Sequence, residues 1–204
     1  IDVLITGSQK ALMIPPGLAF IALSARAWAA AEKSDLPKFY LDLHKELKAQ
    51  TKNQSAWTPA TSLIQGLQVA LQMIREETLP KIFARHDLLA RATRAGVAAL
   101  GLEILAKDAP STAVTSVRVP AQIQDGKQIV KRMRDTWGVV IAGGQDELEG
   151  KIFRLSHFGY CGPFDITTGL SCLELVLHDL GYPVEFGRGV GAALKVISTD
   201  SKKS

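Results

Sequence analysis

The stretch that most constrains this chain lies almost at its start, where a short apolar run ends in a glycine turn followed by a lysine. Residues 3–5 are typical of a buried strand, and Gly7 permits a sharp turn directly after it. Lys10 then follows the strand end, the edge at which a sheet presents its reactive groups. Pro15-Pro16-Gly17 breaks the chain again and fixes its return path. We expect a lysine held this way to be partly desolvated, and a desolvated amine can attack a carbonyl.

Taken alone, this pattern leaves two interpretations open, because a lysine near a strand end is more often a solvated surface residue. The surrounding residues also carry a resemblance. Gly7-Ser8-Gln9-Lys10 followed by Pro15-Pro16-Gly17 resembles the segment that holds the cofactor lysine in the class V aminotransferases of fold type I. The subgroup that it resembles most is the alanine–glyoxylate and serine–glyoxylate aminotransferases, and the resemblance continues along nearly the whole chain.

The resemblance implies a cofactor and two residues that hold it. In the family the lysine forms a Schiff base with pyridoxal 5'-phosphate (PLP), which implies this role for Lys10. The preceding Gln9 is implied to help hold the cofactor phosphate. Cysteine desulfurases of the same class usually carry His before the lysine, so Gln9 favours transamination over desulfuration. Lys10 is then also implied to carry the proton that moves during the reaction.

A second segment resembles the loop with which the family reaches across a dimer to the PLP phosphate of the neighbouring subunit. The segment is Asn53-Gln54-Ser55-Ala56-Trp57-Thr58-Pro59, and the family pattern is Thr-Pro-x-Thr-Pro. The resemblance implies that Ser55 and Thr58 donate hydrogen bonds to the phosphate, with Asn53 as a further candidate, because a phosphate dianion needs several donors. Ser55 keeps a hydroxyl where Thr is usual, whereas Ala56 replaces the usual Pro. The resemblance also implies a homodimer with shared active sites.

Arg154 lies in a predicted strand at residues 151–156 and has apolar neighbours. The pattern alone predicts an arginine on the solvent side of a half-buried strand. The alternative is carboxylate binding, because a guanidinium offers two parallel N–H donors that a lysine does not reproduce. This segment resembles the family strand of pattern Gly-Lys-x-x-Arg-Ile, which implies that Arg154 binds the substrate α-carboxylate. Gly143-Gly144 resembles a family loop near the active-site entrance.

Helical periodicity dominates the middle of the chain, and strands alternate with helices towards its end. Apolar residues recur every three or four positions over residues 61–77 and 80–100, and Gly101 is a typical helix C-cap. Beyond it, the pattern predicts strands at residues 102–105, 113–119, 139–141 and 151–156 and helices at residues 127–137 and 165–180. Strands with helices on one face indicate a small α+β domain. With the resemblance, the prediction is the α/β end of a large PLP-binding domain with its linking helices at residues 1–90, then a small α+β C-terminal domain at residues 91–204.

Composition and charge limit the other classes of function. The 24 Lys and Arg residues outnumber the 20 Asp and Glu residues, but they are scattered and predict no nucleic-acid surface. The longest uncharged stretch, residues 11–25, is broken by Pro15-Pro16-Gly17, so we expect no membrane span. Cys161 and Cys172 form neither a disulfide framework nor a Cys-x-x-Cys motif, which predicts no metal site and a cytoplasmic location. His44 is expected to be a solvated helical residue, whereas His86 and His157 are expected to be structural.

The predicted function is PLP-dependent transamination between a small amino acid, alanine or serine, and a 2-oxo acid such as glyoxylate. The chain opens at Ile1 inside a predicted strand, so we expect a fragment or an N-terminal half that is a separate piece. That half would supply the Gly-rich phosphate loop, the group stacked on the pyridine ring and the aspartate at its nitrogen. Two alternatives stay open. One is a PLP lyase or cysteine desulfurase of the same class, with Cys161 as the candidate cysteine, and the other is a non-catalytic fragment that retains the fold.

Overall fold

The computed structural model describes residues 1–200, and the chain divides into two compact units. The N-terminal unit ends at Glu76, and the C-terminal unit begins at Glu77. The boundary predicted between residues 90 and 91 therefore falls inside the first helix of the C-terminal unit. The assignment of residues 1–90 and 91–204 to two domains of a larger enzyme stays a prediction.

The N-terminal unit contains a two-stranded antiparallel sheet and three helices. In chain order the elements are β1 (Val3–Gly7), β2 (Ala19–Leu23), α1 (Ala25–Ala31), α2 (Leu43–Gln50) and α3 (Thr61–Glu77). Gly7 pairs with Ala19, so the loop between the strands leaves from the end of a fully paired ladder. Ser24 caps α1, because its hydroxyl accepts a hydrogen bond of 3.2 Å from the backbone N–H of Ala27.

The apolar side chains of β1 are exposed, although the sequence pattern predicts a buried strand. The exposed fraction is 49% for Val3, 50% for Leu4 and 67% for Ile5. Within residues 1–200, β1 and β2 pair only with each other, so no further strand of the described chain flanks the ladder. The prediction that β1 is buried is therefore wrong for this chain. An apolar run indicates that other residues pack on a strand, but it does not indicate that those residues lie in the same stretch of sequence.

The C-terminal unit combines helices with a three-stranded antiparallel sheet. Its elements are α4 (Leu79–Ala99), β3 (Val114–Arg118), α5 (Lys127–Trp137), β4 (Ala142–Gly143), β5 (Ile152–Ser156), α6 (Pro163–Asp179) and α7 (Arg188–Asp200). The strand order is β3-β5-β4, so β5 is central. Leu89 of α4, Phe153 of β5 and Leu173 of α6 are fully buried in one core. The predicted fold class, α/β followed by a small α+β unit, is confirmed.

Two predicted strands and one helix differ from the structure. Residues 102–105 make only a single bridge, from Ile104 to Val117. The strand predicted at residues 139–141 lies instead at β4, and Val140 is 77% exposed. Helix α7 was not predicted, because its sequence has glycines in its first turn and no capping side chain of its own. None of the helices in residues 1–200 combines the length and the apolar character that crossing a lipid bilayer requires.

Candidate active site

Ser8 fixes the loop that carries Lys10, here named the lysine loop (residues 8–18). The Ser8 side chain is fully buried, and its hydroxyl donates to the carbonyl oxygen of Pro15 at 2.7 Å. The same hydroxyl oxygen accepts from the backbone N–H of Leu18 at 3.3 Å, while the Ser8 N–H donates to the carbonyl of Leu18 at 3.1 Å. Three hydrogen bonds therefore close the base of the loop. Sequence reasoning did not single out Ser8, although a hydroxyl beside a glycine turn is a known local signal.

Helix α3 supports the returning half of the lysine loop. Gly17 has a φ of +141°, and a Cβ built there would lie 2.5 Å from Leu63 Cδ1 on α3. A Cβ built at Gly66 of α3 would lie 3.6 Å from Ile14 Cγ2 in the loop. Gly17 is therefore needed for both its backbone conformation and its close approach to the helix.

Lys10 and Gln9 project from this fixed loop with exposed side chains. The Lys10 carbonyl accepts from the Met13 N–H at 2.9 Å, which closes a turn directly after the lysine. The Gln9 side chain folds back over Gly7, since a Cβ built at Gly7 would lie 2.7 Å from Gln9 Oε1. The expected partial desolvation of Lys10 is not supplied by residues 1–200, because no element in that range covers its side chain.

The second predicted phosphate loop has its hydroxyls on the surface. The Ser55 hydroxyl donates to the Trp57 carbonyl at 2.6 Å, and Thr58 is exposed. Trp57 stacks on Tyr40 with ring centroids 5.0 Å apart, and its indole N–H donates to the Tyr40 carbonyl at 3.1 Å. Asn53 adopts a φ of +54° and lines an open depression together with Ser55. Gln9 lines a different depression, so within one chain the two predicted parts of the cofactor site open separately.

Arg154 lies on the central strand β5 and is half-buried. Its Nε–H donates to the carbonyl oxygen of Gly143 at 2.8 Å. Its cross-strand neighbours are the small residues Ser116 on β3 and Ala142 on β4, which lie on the same face of the sheet. Within residues 1–200 no carboxylate pairs with Arg154, and the Nε–H bond is the single side-chain hydrogen bond that it makes. The two terminal nitrogens therefore remain available for a bidentate anion.

Arg85 is bound quite differently, in a cluster that sequence reasoning missed. Its guanidinium makes a bidentate pair with Glu77, at 2.6 Å for Nε–Oε1 and 2.8 Å for Nη2–Oε2. Its Nη1 donates to the carbonyls of Gly159 and Cys161 at 2.9 and 2.7 Å. The hydrogen bond from Arg85 lowers the pKa of the Glu77 carboxyl below its usual value. These four hydrogen bonds to protein groups hold the guanidinium, which joins the start of α4 to the loop that follows β5.

Cys161 and His157, which lie in or beside that loop, do not have the properties of reactive groups. Burial raises the pKa of the Cys161 thiol, which keeps it protonated and disfavours the desulfurase alternative. His157 is fully buried, with its ring nitrogens 2.9 Å from Thr115 Oγ1 and 3.0 Å from the Thr112 carbonyl. Burial lowers the pKa of His157 to about 4, so the ring is neutral and joins β5 to the start of β3.

Comparison with known proteins decides the family. No family model matches the sequence. The chain is 45% identical over 202 residues to a protein from Synechococcus sp. (strain PCC 6716) named soluble hydrogenase, small subunit, with 98% of this chain and 52% of that protein covered. It is 39% identical over 197 residues to a serine–glyoxylate aminotransferase from Arabidopsis thaliana, with 95% and 49% covered. The crystal structure of pyridoxamine–pyruvate aminotransferase from Mesorhizobium loti superposes with a TM-score of 0.91 at 35% identity over 98% of this chain and 52% of that one.

The chain belongs to the class V PLP-dependent aminotransferases. It spans about half the length of the curated relatives that it matches and corresponds to the C-terminal half of the family. The lysine loop fits the cofactor of the family. A primary amine must be accessible to bond to an aldehyde, and the loop presents the Lys10 amine on a backbone that Ser8 fixes from within.

Proposed function

We propose that the full-length protein containing this chain transfers the amino group of a small amino acid, serine or alanine, to a 2-oxo acid such as glyoxylate. The family supports the reaction type. The Arabidopsis thaliana relative, which is named serine–glyoxylate aminotransferase, supports serine and glyoxylate as the pair of substrates. Lys10 and Gln9 are the proposed cofactor-binding residues, and Arg154 is the proposed carboxylate-binding residue. PLP, when bound, supplies an electron sink that stabilises negative charge at the substrate Cα.

The observation that carries the proposal is the state of Arg154. A half-buried guanidinium normally pairs with a carboxylate, as Arg85 does with Glu77. Arg154 is instead held at Nε alone, which orients the planar group while its outer edge stays unpaired. An α-carboxylate would receive two parallel hydrogen bonds from that edge, and its position would fix the direction of the bond from Cα to its hydrogen.

Lys10 has two roles in the proposed reaction. Its amine would hold the cofactor before the substrate arrives, and it would then accept the proton that leaves the substrate Cα and carry it onward. Both roles require an accessible amine on a loop of constant shape. The Ser8 hydrogen bonds and the packing of residues 14–17 on α3 support such a loop. Gln9 would donate to the cofactor phosphate from the residue before the lysine.

We propose that the protein is a homodimer in which Ser55 and Thr58 serve the phosphate of the neighbouring subunit. Their hydroxyls are exposed in one chain, which leaves them accessible to a second copy. The Ser55 hydroxyl donates to Trp57 in the isolated chain and would rotate by one torsion to donate to a phosphate oxygen. The N-terminal half of the protein would complete each site.

Transamination assays on the full-length protein test the proposal. With serine and glyoxylate as substrates, Lys10→Ala should lower kcat about 10³-fold, because the proton carrier is lost. Borohydride reduction of the wild-type holoenzyme should fix the mass of the cofactor on the peptide that contains Lys10. Arg154→Gln should raise the KM for serine about 10- to 100-fold, since two charge-assisted hydrogen bonds disappear.

Lys33→Ala is the matched control, since Lys33 is an exposed lysine of the same unit that follows α1. It should leave the kinetics and the labelled peptide unchanged. A wild-type holoenzyme that carries the cofactor on another peptide would overturn the assignment of Lys10. An unchanged KM in Arg154→Gln would overturn the assignment of the carboxylate site.

A further inference from the structure

We propose that Gly144 is a positioning residue for the substrate carboxylate: it sets the Gly143 carbonyl against Arg154 and thereby aims the guanidinium. This inference rests on the proposed function of Arg154. It concerns the glycine loop, defined as residues 143–150, which connects β4 to β5.

A single hydrogen bond determines where the guanidinium of Arg154 lies. Arg154 Nε donates to the Gly143 carbonyl at 2.8 Å, and no other side-chain hydrogen bond of Arg154 occurs in the described part of the chain. Its neighbours Ser116 and Ala142 are too small to confine a long side chain by packing. The position of the Gly143 carbonyl therefore decides the direction in which the two terminal nitrogens point.

Strand β4 is too short to hold the Gly143 carbonyl by itself. The strand has two residues, with Ala142 opposite Arg154 and Gly143 opposite Phe153. The backbone N–H of Gly144 extends the pairing by donating to the Ile152 carbonyl at 3.1 Å. The residue after Gly143 is thus the one that attaches the end of β4 to β5.

Only a glycine fits at position 144. A Cβ built there would overlap the carbonyl oxygen of Leu148, and it would lie 2.5 Å from the Leu148 carbonyl carbon and 3.0 Å from Ile152 Cγ1. The Leu148 carbonyl is itself bound, because it accepts from the Lys151 N–H at 3.1 Å. Backbone would have to move to admit a side chain, so the pairing of Gly144 with Ile152 and the adjacent Gly143 carbonyl would shift.

A glycine outside the site provides a matched control. A Cβ built at Gly191 of α7 would meet nothing within 4 Å. Gly191→Ala should therefore leave the Gly143 carbonyl in place, whereas Gly144→Ala should displace it. Gly126→Ala is a control for strain alone, because its Cβ would overlap Val119 Cγ2 and lie 3.0 Å from the Gly150 carbonyl, at the other end of the glycine loop.

Steady-state kinetics of the full-length holoenzyme with serine and glyoxylate test the inference. Gly144→Ala should raise the KM for serine about tenfold with a smaller change in kcat, since a misdirected guanidinium weakens carboxylate binding. Gly191→Ala and Gly126→Ala should keep the wild-type KM. With 2-aminoethanol, which is serine without its carboxylate, Gly144→Ala and wild type should react at the same rate. Equal KM values for serine in Gly144→Ala and Gly191→Ala would overturn the inference.

The Arg154→Gln variant separates this inference from the proposed function. If Arg154→Gln leaves the KM for serine unchanged, the proposed function of Arg154 fails. If Arg154→Gln raises the KM and Gly144→Ala does not, only the positioning role fails. In the double variant, Gly144→Ala should add nothing to the effect of Arg154→Gln, because it acts through that side chain.

Hydrogen exchange in the unsubstituted protein covers the case in which Gly144→Ala does not fold. In protein labelled with 15N-arginine, the Nε–H signal that disappears in Arg154→Gln belongs to Arg154. It should exchange with solvent more slowly than the Nε–H of Arg75, a residue on the exposed surface of α3. Exchange as fast as that of Arg75 would show that the Gly143 carbonyl does not hold the side chain, and it would overturn the inference.

Discussion

The buried carboxylate of Glu174 accepts a hydrogen bond of 2.8 Å from the backbone N–H of Gly189, so one helix of the C-terminal unit caps the next. Glu174 lies in the middle of α6 and is 3% exposed, and Gly189 lies in the first turn of α7. The carboxylate also accepts from the N–H groups of Gly187 and Val190 at 2.6 and 3.2 Å. A side chain from another helix thus satisfies the unpaired N–H groups at the start of α7, where it also stabilises the helix dipole.

Substitution of Glu174 should loosen α7 selectively. Glu174→Ala leaves three backbone N–H groups without their acceptor, and hydrogen bonds to a charged group contribute about 1.5–3 kcal/mol. We expect the free energy of unfolding to fall by about 3 kcal/mol. Glu174→Gln keeps one acceptor oxygen and should cost less. Urea unfolding measures the loss, and faster amide exchange confined to residues 187–192 would identify its origin. Equal stability of Glu174→Ala and wild type would contradict the capping role.

Gly96 is a second position where helices of the C-terminal unit meet closely. A Cβ built there would lie 2.5 Å from Leu170 Cδ1 and 3.0 Å from the Gly189 carbonyl. Gly96→Ala should therefore lower the free energy of unfolding by about 1–3 kcal/mol, the usual cost of overpacking. Gly169 on α6 is the matched control, since a Cβ there would meet nothing within 4 Å. Gly169→Ala should raise stability by up to about 1 kcal/mol through helix propensity, and thermal unfolding of both variants gives the comparison.

The helices that the sequence predicts are those whose signals are local. α3 lies at residues 61–77 as its apolar periodicity predicts, and α5 begins and ends where its pattern does. α7 has no such signal, because the group that begins it is Glu174, 15 residues before Gly189 in the chain. A helix that is capped by a distant side chain carries no capping signal in the residues around its own start.

The candidate site likewise combines features that have a local sequence signal with features that have none. The lysine loop and the strand of Arg154 could be located from their residues and from a family resemblance. The support that each receives could not, because the Ser8 contacts to Pro15 and the Gly143 carbonyl on Arg154 depend on where the chain returns. The strand predicted at residues 139–141 lies at β4 instead, where the close approach at Gly144 ties the chain to β5. Residue type therefore indicates the chemistry of a side chain, and the folded chain determines where that side chain is held.

Stability should fall on acidification because His157 is buried in its neutral form. Its pKa is lowered from 6.5 to about 4, so between these pH values the unfolded chain binds a proton at His157 that the folded chain does not bind. The contribution of His157 to the free energy of unfolding is fully present above pH 6.5. It falls between pH 6.5 and 4 and is constant below pH 4. The difference corresponds to about 3 kcal/mol at about 1.4 kcal/mol for each pH unit.

Urea unfolding at several pH values isolates the His157 contribution. His157→Asn removes the titrating group, so the stability of wild type minus that of the variant should decrease from pH 6.5 to pH 4. His178→Asn is the control, since the His178 side chain is 59% exposed and lies at the surface of α6. A difference between wild type and His157→Asn that does not change with pH would refute the assignment.

Ser8→Ala should disturb the lysine loop without affecting the C-terminal unit. The substitution leaves the Pro15 carbonyl and the Leu18 N–H without their shared partner, at a cost of about 1–3 kcal/mol for buried groups. We expect faster amide exchange at residues 8–18 and a weaker affinity of the full-length protein for PLP. Ser171→Ala, at an exposed serine on α6, should change neither quantity. Unchanged exchange at residues 8–18 in Ser8→Ala would mean that the loop is fixed by other contacts.

Mixed dimers should show whether Ser55 and Thr58 act on the neighbouring subunit. One full-length chain carries Lys10→Ala, and the other carries Ser55→Ala with Thr58→Ala, so each homodimer has two defective sites. If the loop acts across the dimer, a mixed dimer contains one site with intact Lys10, Ser55 and Thr58 and one site with every defect. After subunit exchange, the activity should therefore rise towards a quarter of wild type, because half of the dimers are mixed and each has one intact site. If the loop serves its own chain, each site in a mixed dimer keeps one defect, and the activity stays at the mean of the two parents.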